Sequence, residues 1–180
     1  MKRIFMLACL GIIMIAAEAT AGSKPVQLSL TPDIAVFDRG TTIEGLILSI
    51  WSQNPQRSLA LGIVNGSKGK SAGFSGSFLL NYADSYKGLQ LAAVNYINAD
   101  FLGWQAGIVD YTEGSVKGLQ TGLVNYAGHL TGLQLGILNY AATTKTGVQI
   151  GIINLLPQNK WFSKFPDELA PGMLIVNWRF

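Results

Sequence analysis

The chain has 180 residues, of which 49% are hydrophobic and only 13% are charged, with a net charge of +3. This length suits one domain with a core of its own. The small charge excess, with no run of basic residues interleaved with aromatic residues, excludes a nucleic-acid-binding protein, and the single cysteine, Cys9, excludes a framework of disulfides.

The first 21 residues have the pattern of a cleaved secretory signal peptide. Lys2 and Arg3 give a positive start, residues 4–17 are apolar, and the small residues Ala19 and Ala21 offer cleavage points. The apolar run is shorter than the roughly 20 residues that a membrane-spanning helix needs. The pattern predicts an exported protein in which residues 1–21 are removed and residues 22–180 form a single repeat-built β domain.

A nine-residue segment recurs along the middle of the chain. Five copies align without gaps and begin 15, 15, 14 and 15 residues apart. These copies are Gly88–Tyr96, Gly103–Tyr111, Gly118–Tyr126, Gly132–Tyr140 and Gly147–Leu155. Weaker copies precede them at residues 58–66 and at residues 73–82, where one extra residue predicts a β-bulge. The core repeats therefore span residues 58–155.

Each copy is predicted to be a strand followed by a turn of five or six residues. The copies are short, rich in β-branched and aromatic residues, and separated by polar breaks. A helix is disfavoured because two glycines in most copies would each cost about 1 kcal/mol relative to alanine. Further strands are predicted at residues 26–37, 43–51 and 173–180, the last being a C-terminal closing strand.

The alternation of residues within one copy predicts the character of the two faces of each strand. In Gly132–Tyr140, strict alternation puts an apolar stripe on one face and small or polar residues on the other. The first face carries Leu133, Leu135, Ile137 and Asn139, and the second carries Gly132, Gln134, Gly136, Leu138 and Tyr140. An apolar outside with a mixed inside is typical of membrane barrels, so the pattern predicts an antiparallel up-and-down meander closing as an outer-membrane barrel of about 8–10 strands.

A β-solenoid is the alternative all-β fold, with each fifteen-residue copy forming one coil. Solenoids stack identical residues into ladders, which suits the repeated glutamines and asparagines. The glutamines Gln90, Gln105, Gln120, Gln134 and Gln149 form a row across the predicted sheet. We expect this row to be an interior hydrogen-bonded ladder rather than the lining of a polar passage.

The C-terminal segment predicts a cellular location. Leu174, Val176, Trp178 and Phe180 alternate with other residues and end the chain on an aromatic side chain, which resembles the signal that the barrel-insertion machinery recognises. Outer-membrane lipid and this machinery are therefore the predicted partners, and the outer membrane or cell surface is the predicted location. Residues 156–171, before this strand, suggest a loop or short helix with interfacial aromatics.

The repeated unit Gly-Leu-Gln-x-Gly-x-x-Asn-Tyr, the opening residues 26–31 and the closing residues 176–180 resemble a family of bacterial surface-repeat-containing proteins. Asp110 in place of Asn and Leu155 in place of Tyr depart from the unit. The resemblance implies a surface or outer-membrane location. It implies no catalytic residues, because that family is defined by its repeats.

The sequence predicts no catalytic, cofactor-binding or metal-binding residues. His129 is the only histidine and lies in a predicted turn, and Asp100, Asp110 and Glu113 lack the spacing of a calcium loop. We therefore expect a non-enzymatic, structural or surface-exposed outer-membrane barrel protein that contacts host or surface ligands. A secreted β-solenoid that mediates surface interactions is the alternative, and a small lipid-modifying barrel enzyme using His129 is a minor one.

Overall fold

A computed structural model describes residues 22–180, and the predicted signal peptide lies outside the described residues. This part of the chain consists of strands joined by turns, and it contains no helix. The strands are β1 (Lys24–Thr31), β2 (Ile34–Ala35), β3 (Ile43–Gln53), β4 (Arg57–Leu91), β5 (Val94–Ile97), β6 (Phe101–Ala106), β7 (Val109–Thr121), β8 (Val124–Leu155) and β9 (Gly172–Arg179). The prediction of an all-β protein is confirmed.

The strands stack in parallel, so the fold is a β-solenoid. Equivalent residues of successive copies pair directly, as Gly103 pairs with Gly118 and Gln105 with Gln120. The pairings of β1 with β3, β3 with β4, β4 with β5 and β6, and β7 with its three neighbours β5, β6 and β8 are all parallel. Each fifteen-residue copy with its turn is one coil that lies about 4.8 Å above the previous one.

The prediction of a closed antiparallel barrel is wrong. The sheet runs in one order from β2 through β1 and β3 to β8 and β9. Antiparallel pairs occur at its two ends, where β2 pairs with β1 and β9 pairs with β8. The physical reason is that each coil turns completely and returns to the same direction, so identical residues stack on one another instead of alternating between two rims.

A corner inside each copy explains why strict alternation misplaced the side chains. In Gly132–Tyr140 both Gln134 and Asn139 are buried, although they are an odd number of residues apart. The equivalent residues of the preceding copy, Gly122 and Leu123, form a bend. A corner that places two successive residues outside reverses the inward and outward order that follows it. The assignment of Gln134 and Asn139 to opposite faces is therefore wrong.

Glycine is required at the first position of the central copies because of how closely the coils approach. Gly103 and Gly118 have φ values of +139° and +134°. A Cβ atom on Gly118 would lie 2.0 Å from the carbonyl oxygen of Gly103, in the coil below. Only a residue without a side chain fits both the conformation and the space.

The core has an apolar half and an amide half. Its apolar half comes from two inward positions of the turn segments, listed along the axis as Ala83, Tyr86, Ile97, Phe101, Val116, Ala127, Leu130, Ala141 and Leu156. A second apolar cluster near the N-terminal end contains Ile43, Ile47 and Ala60, with Phe37 packed against it. The amide half is formed by the repeated glutamines and asparagines.

Both ends of the solenoid are covered by segments that leave the repeat. At the N-terminal end the side chain of Gln27 exchanges two hydrogen bonds with the backbone of Phe37. At the C-terminal end β9 runs antiparallel over the last coil, and residues 156–171 form the turn-rich loop before it. The buried carboxylate of Glu168 pairs with Arg179 and ties this loop to β9. A strand is thus present where the sequence predicts one at residues 173–180, and it covers the last coil of a solenoid.

Candidate interaction surface

The repeated glutamines form a continuous interior ladder, which we call the Gln column (Gln90, Gln105, Gln120, Gln134 and Gln149). Each glutamine from Gln105 onward donates its Nε2–H to Oε1 of the glutamine one coil earlier, over 2.7 to 3.3 Å. In the last three members the amide also donates to a backbone carbonyl six residues later, at 3.2 Å. Both hydrogens of these buried amides are thereby paired, and the predicted interior ladder is confirmed.

A second ladder, the Asn column, runs beside it (Asn81, Asn95, Asp110, Asn125, Asn139 and Asn154). Here Nδ2 donates to Oδ1 of the next coil, for example from Asn139 to Asn154 at 2.8 Å. The other hydrogen goes to the carbonyl just before the next coil's corner, as from Asn139 to Ile150 at 3.0 Å. The asparagines therefore hold the corners as well as one another.

Asp110 interrupts the Asn column. It accepts a hydrogen bond from Asn95 at 2.7 Å, but an ionised carboxylate has nothing to donate onward. Its Oδ2 and the Oδ1 of Asn125, its register partner, are both buried without a hydrogen-bond partner. Burial raises the pKa of Asp110 to about 7, although the hydrogen bond from Asn95 lowers it. Asp110 is thus an interior residue, whereas Asp100 and Glu113 are exposed.

The tyrosines stack on one side of the solenoid in the Tyr column (Tyr96, Tyr111, Tyr126 and Tyr140). Successive ring centroids lie 5.5, 4.4 and 5.3 Å apart, with the planes within 8° of parallel. The rings contact one another through their faces, and Tyr96 at one end of the stack is 38% exposed. Parallel stacking brings these four tyrosines to the same side of the solenoid, whereas antiparallel strands would have placed them at alternate ends.

The corner of every coil except one carries a large, exposed apolar side chain, and together these form the corner ridge. Its members are Leu30, Ile50, Ile63, Phe78, Ile108, Leu123, Ile137 and Ile152, which are between 40% and 77% exposed. Ala93 fills the one rung between Phe78 and Ile108 that lacks a large side chain. Nine rungs at about 4.8 Å give a ridge roughly 38 Å long.

The two sheet faces that meet at the corner ridge are free of charge. In the seven segments from residues 58–66 to residues 147–155, the only charged residue is Asp110, and it is buried. Outward residues on these faces include Trp104, Val124 and Ile150, which are 44%, 37% and 45% exposed. Monomeric proteins rarely leave a continuous apolar surface larger than a few hundred Å², so this surface is a candidate interaction site.

All charged residues of the repeat region except the buried Asp110 lie on the third side, which we call the polar edge. The turn segments between copies carry Lys68, Lys70, Asp84, Lys87, Asp100, Glu113, Lys117 and Lys145. The Tyr column borders this edge, since the hydroxyl of Tyr96 lies 3.5 Å from the Glu113 carboxylate. The cross-section of the coil is therefore an apolar wedge with one charged side.

Other residues singled out in the sequence lie apart from one another. His129 is on the polar edge, where its Nδ1 lies 2.9 Å from the hydroxyl of Thr143. Leu174 and Phe180 are 69% and 64% exposed on and after β9. Within residues 22–180 no group of three or more histidine, cysteine or acidic side chains is placed to hold a metal ion.

The loop of residues 156–171 presents aromatic side chains, as the sequence predicts. Trp161, Phe162 and Phe165 are 67%, 50% and 64% exposed. The described residues include no helix that could cross a membrane.

Sequence reasoning missed the wedge. The signal was present, because most copies contain two successive large residues after their central glycine, such as Ile137 and Leu138. Two successive outward residues indicate a corner. A corner in every copy turns the chain into successive coils instead of straight strands.

Comparison with known proteins yields no relative. No protein-family description matches the chain, no curated protein matches its sequence, and no solved structure matches its fold. The class of protein is therefore defined by the geometry alone: an amide-cored β-solenoid with an apolar exterior. Membership of the surface-repeat family stays a prediction.

Proposed function

We propose that this chain is an exported, non-enzymatic surface protein that binds membrane lipid by laying its apolar wedge into the bilayer interface. The observation that carries the proposal is the separation of charge around the coil. Two adjoining faces and the corner ridge are uncharged over residues 58–155, and every charged side chain of that region outside the core lies on the polar edge. An amphipathic body of this kind partitions at a lipid–water boundary.

The backbone of a solenoid face is compatible with lipid. Peptide groups of the interior strands are paired with the coils above and below, so contact with acyl chains does not break these hydrogen bonds. The exposed indoles are also internally paired: Trp104 donates to Thr121 at 2.8 Å, and Trp51 donates to Tyr82 at 3.0 Å. Their rings can enter an apolar phase without losing a hydrogen bond to water.

The border of the wedge has the composition of a membrane interface. The Tyr column separates the apolar face from the polar edge, and tyrosine and tryptophan concentrate at headgroup level in membrane proteins. The export pattern in residues 1–21 and the resemblance to surface-repeat proteins agree with an outer-membrane or cell-surface location.

Flotation of the exported protein with phosphatidylcholine vesicles tests this proposal. A triple variant Ile108→Gln, Leu123→Gln and Ile137→Gln removes three ridge side chains without touching the core. Burial of each large aliphatic residue contributes about 1.5–3 kcal/mol, so we expect at least a roughly 100-fold loss of partitioning. The matched control Asn98→Gln, Lys145→Gln and Thr146→Gln alters three exposed residues of the polar edge and should float like the wild type.

The main competitor for the wedge is a second copy of the chain. Sedimentation equilibrium without lipid distinguishes the two, because a wedge that pairs with itself gives a dimer that the ridge variant dissociates. Wild-type protein that forms such a dimer and ignores vesicles would overturn the lipid proposal. Equal flotation of the ridge variant and the control would overturn it as well.

A further inference from the structure

A cationic cleft lies on the polar edge, beside the apolar wedge. Lys87 and Lys117 occupy the same outward position two coils apart, with Leu102 between them. Arg57 occupies this position two coils earlier, because Ser58 lies beneath Gly73 and Gly73 beneath Gly88. Cations therefore recur on alternate coils, with their backbones about 9.6 Å apart.

The cleft between these side chains has a volume of about 460 Å³. Lys70 adds a fourth cation to its lining, and Ser71, Ser85 and Ser115 add hydroxyl groups. Asp100 is the one acidic residue in the lining, and its carboxylate already accepts a hydrogen bond from the Ser115 backbone N–H at 3.1 Å. The cleft therefore carries a clear excess of positive charge.

The cations of the cleft are not used in ion pairs of the fold. The two ion pairs between described residues, Arg39–Asp33 and Arg179–Glu168, lie near the two ends of the solenoid. Lys87 and Lys117 are exposed on the outside of their coils. Ammonium groups that neutralise nothing in the protein are available to an anionic ligand.

The floor of the cleft is apolar. Ala72, Phe101 and Leu102 line it, and Leu102 is 44% exposed. Two residues after the cationic position, the outward column of Leu59, Phe74, Leu89, Trp104 and Leu119 begins the uncharged face. A ligand held here by its charged group would extend its apolar part along the wedge.

We propose that this cleft binds the phosphate-bearing headgroup of an anionic membrane lipid, with the lysines contacting the phosphate and the acyl chains lying on the adjoining face. This rests on the proposed function, since the wedge supplies the acyl-chain contact. The cleft adds to the proposed function a class of lipid and the residues that select that lipid.

The test compares vesicles of phosphatidylcholine alone with vesicles that also contain phosphatidylglycerol. Each lysine near an anionic surface contributes about a fivefold increase in affinity, so Lys87→Gln with Lys117→Gln should lose about 25-fold on the mixed vesicles and little on the neutral ones. The control Lys145→Gln with Lys164→Gln removes the same charge from exposed sites outside the cleft and should keep most of the preference.

The outcomes separate the cleft from the wedge. Loss on neutral vesicles in the ridge variant reports on the wedge alone. Equal binding of wild-type protein to both vesicle types would overturn the cleft proposal, and so would equal losses in the two lysine pairs, which would mean general charge attraction.

Calorimetric titration with a soluble short-chain phosphatidic acid tests the cleft even if vesicles do not bind. Saturable binding that the Lys87 and Lys117 substitutions abolish would support it. No binding would overturn it. Inorganic phosphate that binds as tightly as the short-chain lipid would also overturn it, because the ligand would then be free phosphate.

Discussion

Asp110 and Asn125 are register partners on adjacent coils, yet the side-chain hydrogen bond that joins each other neighbouring pair of the Asn column is absent between them. The Oδ1 atom of Asn125 is an unpaired acceptor. Asp110 can donate a hydrogen bond to it only when its carboxyl group is protonated. A protonated Asp110 would complete the ladder from Asn81 to Asn154. An ionised one places a buried negative charge beside a carbonyl oxygen.

Replacement of Asp110 by Asn should stabilise the protein in a pH-dependent way. Burial raises the pKa of Asp110 from 3.8 to about 7, so the folded state holds this proton more tightly than the unfolded chain. Stability is therefore fully present below about pH 4 and falls as the pH rises through about 7. This pKa difference corresponds to a loss on the order of 4 kcal/mol at most in the free energy of unfolding when Asp110 ionises.

Urea denaturation at about pH 4 and about pH 8 measures this effect. We expect Asp110→Asn to raise the midpoint at the higher pH and to match the wild type at the lower one. Asp167→Asn changes an exposed carboxylate in the C-terminal loop and serves as the control. A gain of equal size at both pH values would show that ionisation of Asp110 is not the cause.

Gly118→Ala should destabilise the solenoid severely. The added Cβ would lie 2.0 Å from the Gly103 carbonyl oxygen, and the backbone has a φ of +134°. Strain at φ costs about 1–3 kcal/mol, and separating the two coils costs more. Gly40→Ala is a matched control because a Cβ there meets nothing within 4 Å. Thermal unfolding followed by circular dichroism compares them, and equal melting temperatures would contradict the close-approach argument.

Much of this architecture can be predicted from the repeat itself. The spacing predicts both the strands and the buried Gln column, and Gln120 and Gln134 do form a hydrogen bond of 2.7 Å. The choice between barrel and solenoid depends on the corner at Gly136 and Ile137, which periodicity averaged over a copy does not reveal. In the sequence, two adjacent outward residues look like the end of a strand. The parallel register shows that they are a corner of the coil.

The candidate site was harder to predict than the fold because its residues are far apart in sequence. Arg57, Lys87 and Lys117 are 30 residues apart in turn. They become a cluster only when two coils of fifteen residues bring them to one column. In a barrel of antiparallel strands the same residues would not share a column, so the sequence alone carried no reason to group them.

Gln120→Leu should cost more stability than Gln149→Leu. Gln120 makes three hydrogen bonds, to Gln105, to the Tyr126 carbonyl and from Gln134. Gln149 ends the column, where it makes two and leaves its Oε1 without a partner. Unpaired buried groups cost about 1–3 kcal/mol each, so we expect a difference of about 1–3 kcal/mol in the free energy of unfolding.

Equilibrium urea unfolding of the two leucine variants checks the difference. Both substitutions exchange an amide for an apolar side chain of similar size at a buried position, so the packing change is matched. Equal losses would indicate that the hydrogen bonds of the column act independently of their place in it, and the ladder would then contribute packing rather than pairing.

Removal of one whole coil should leave a folded, shorter solenoid. Deletion of residues 103–117 joins Leu102 to Gly118, so that Asn95 meets Asn125 directly and Tyr96 meets Tyr126. Repeat proteins tolerate such changes because each repeat contacts its immediate neighbours. The deletion also removes Asp110, so near pH 8 the loss of one coil's burial is offset by the loss of a buried carboxylate.

Deletion of residues 103–110 is the matched comparison, because it removes about half a coil and leaves the following residues out of register. It should expose amide side chains and abolish cooperative unfolding, whereas the full-coil deletion keeps the β-sheet circular dichroism signal per residue and a single urea transition. If both deletions unfold, the coils do not behave as independent units. If both stay folded, the fold does not depend on the fifteen-residue register. The parallel stacking of glutamines and asparagines then does not specify the fold.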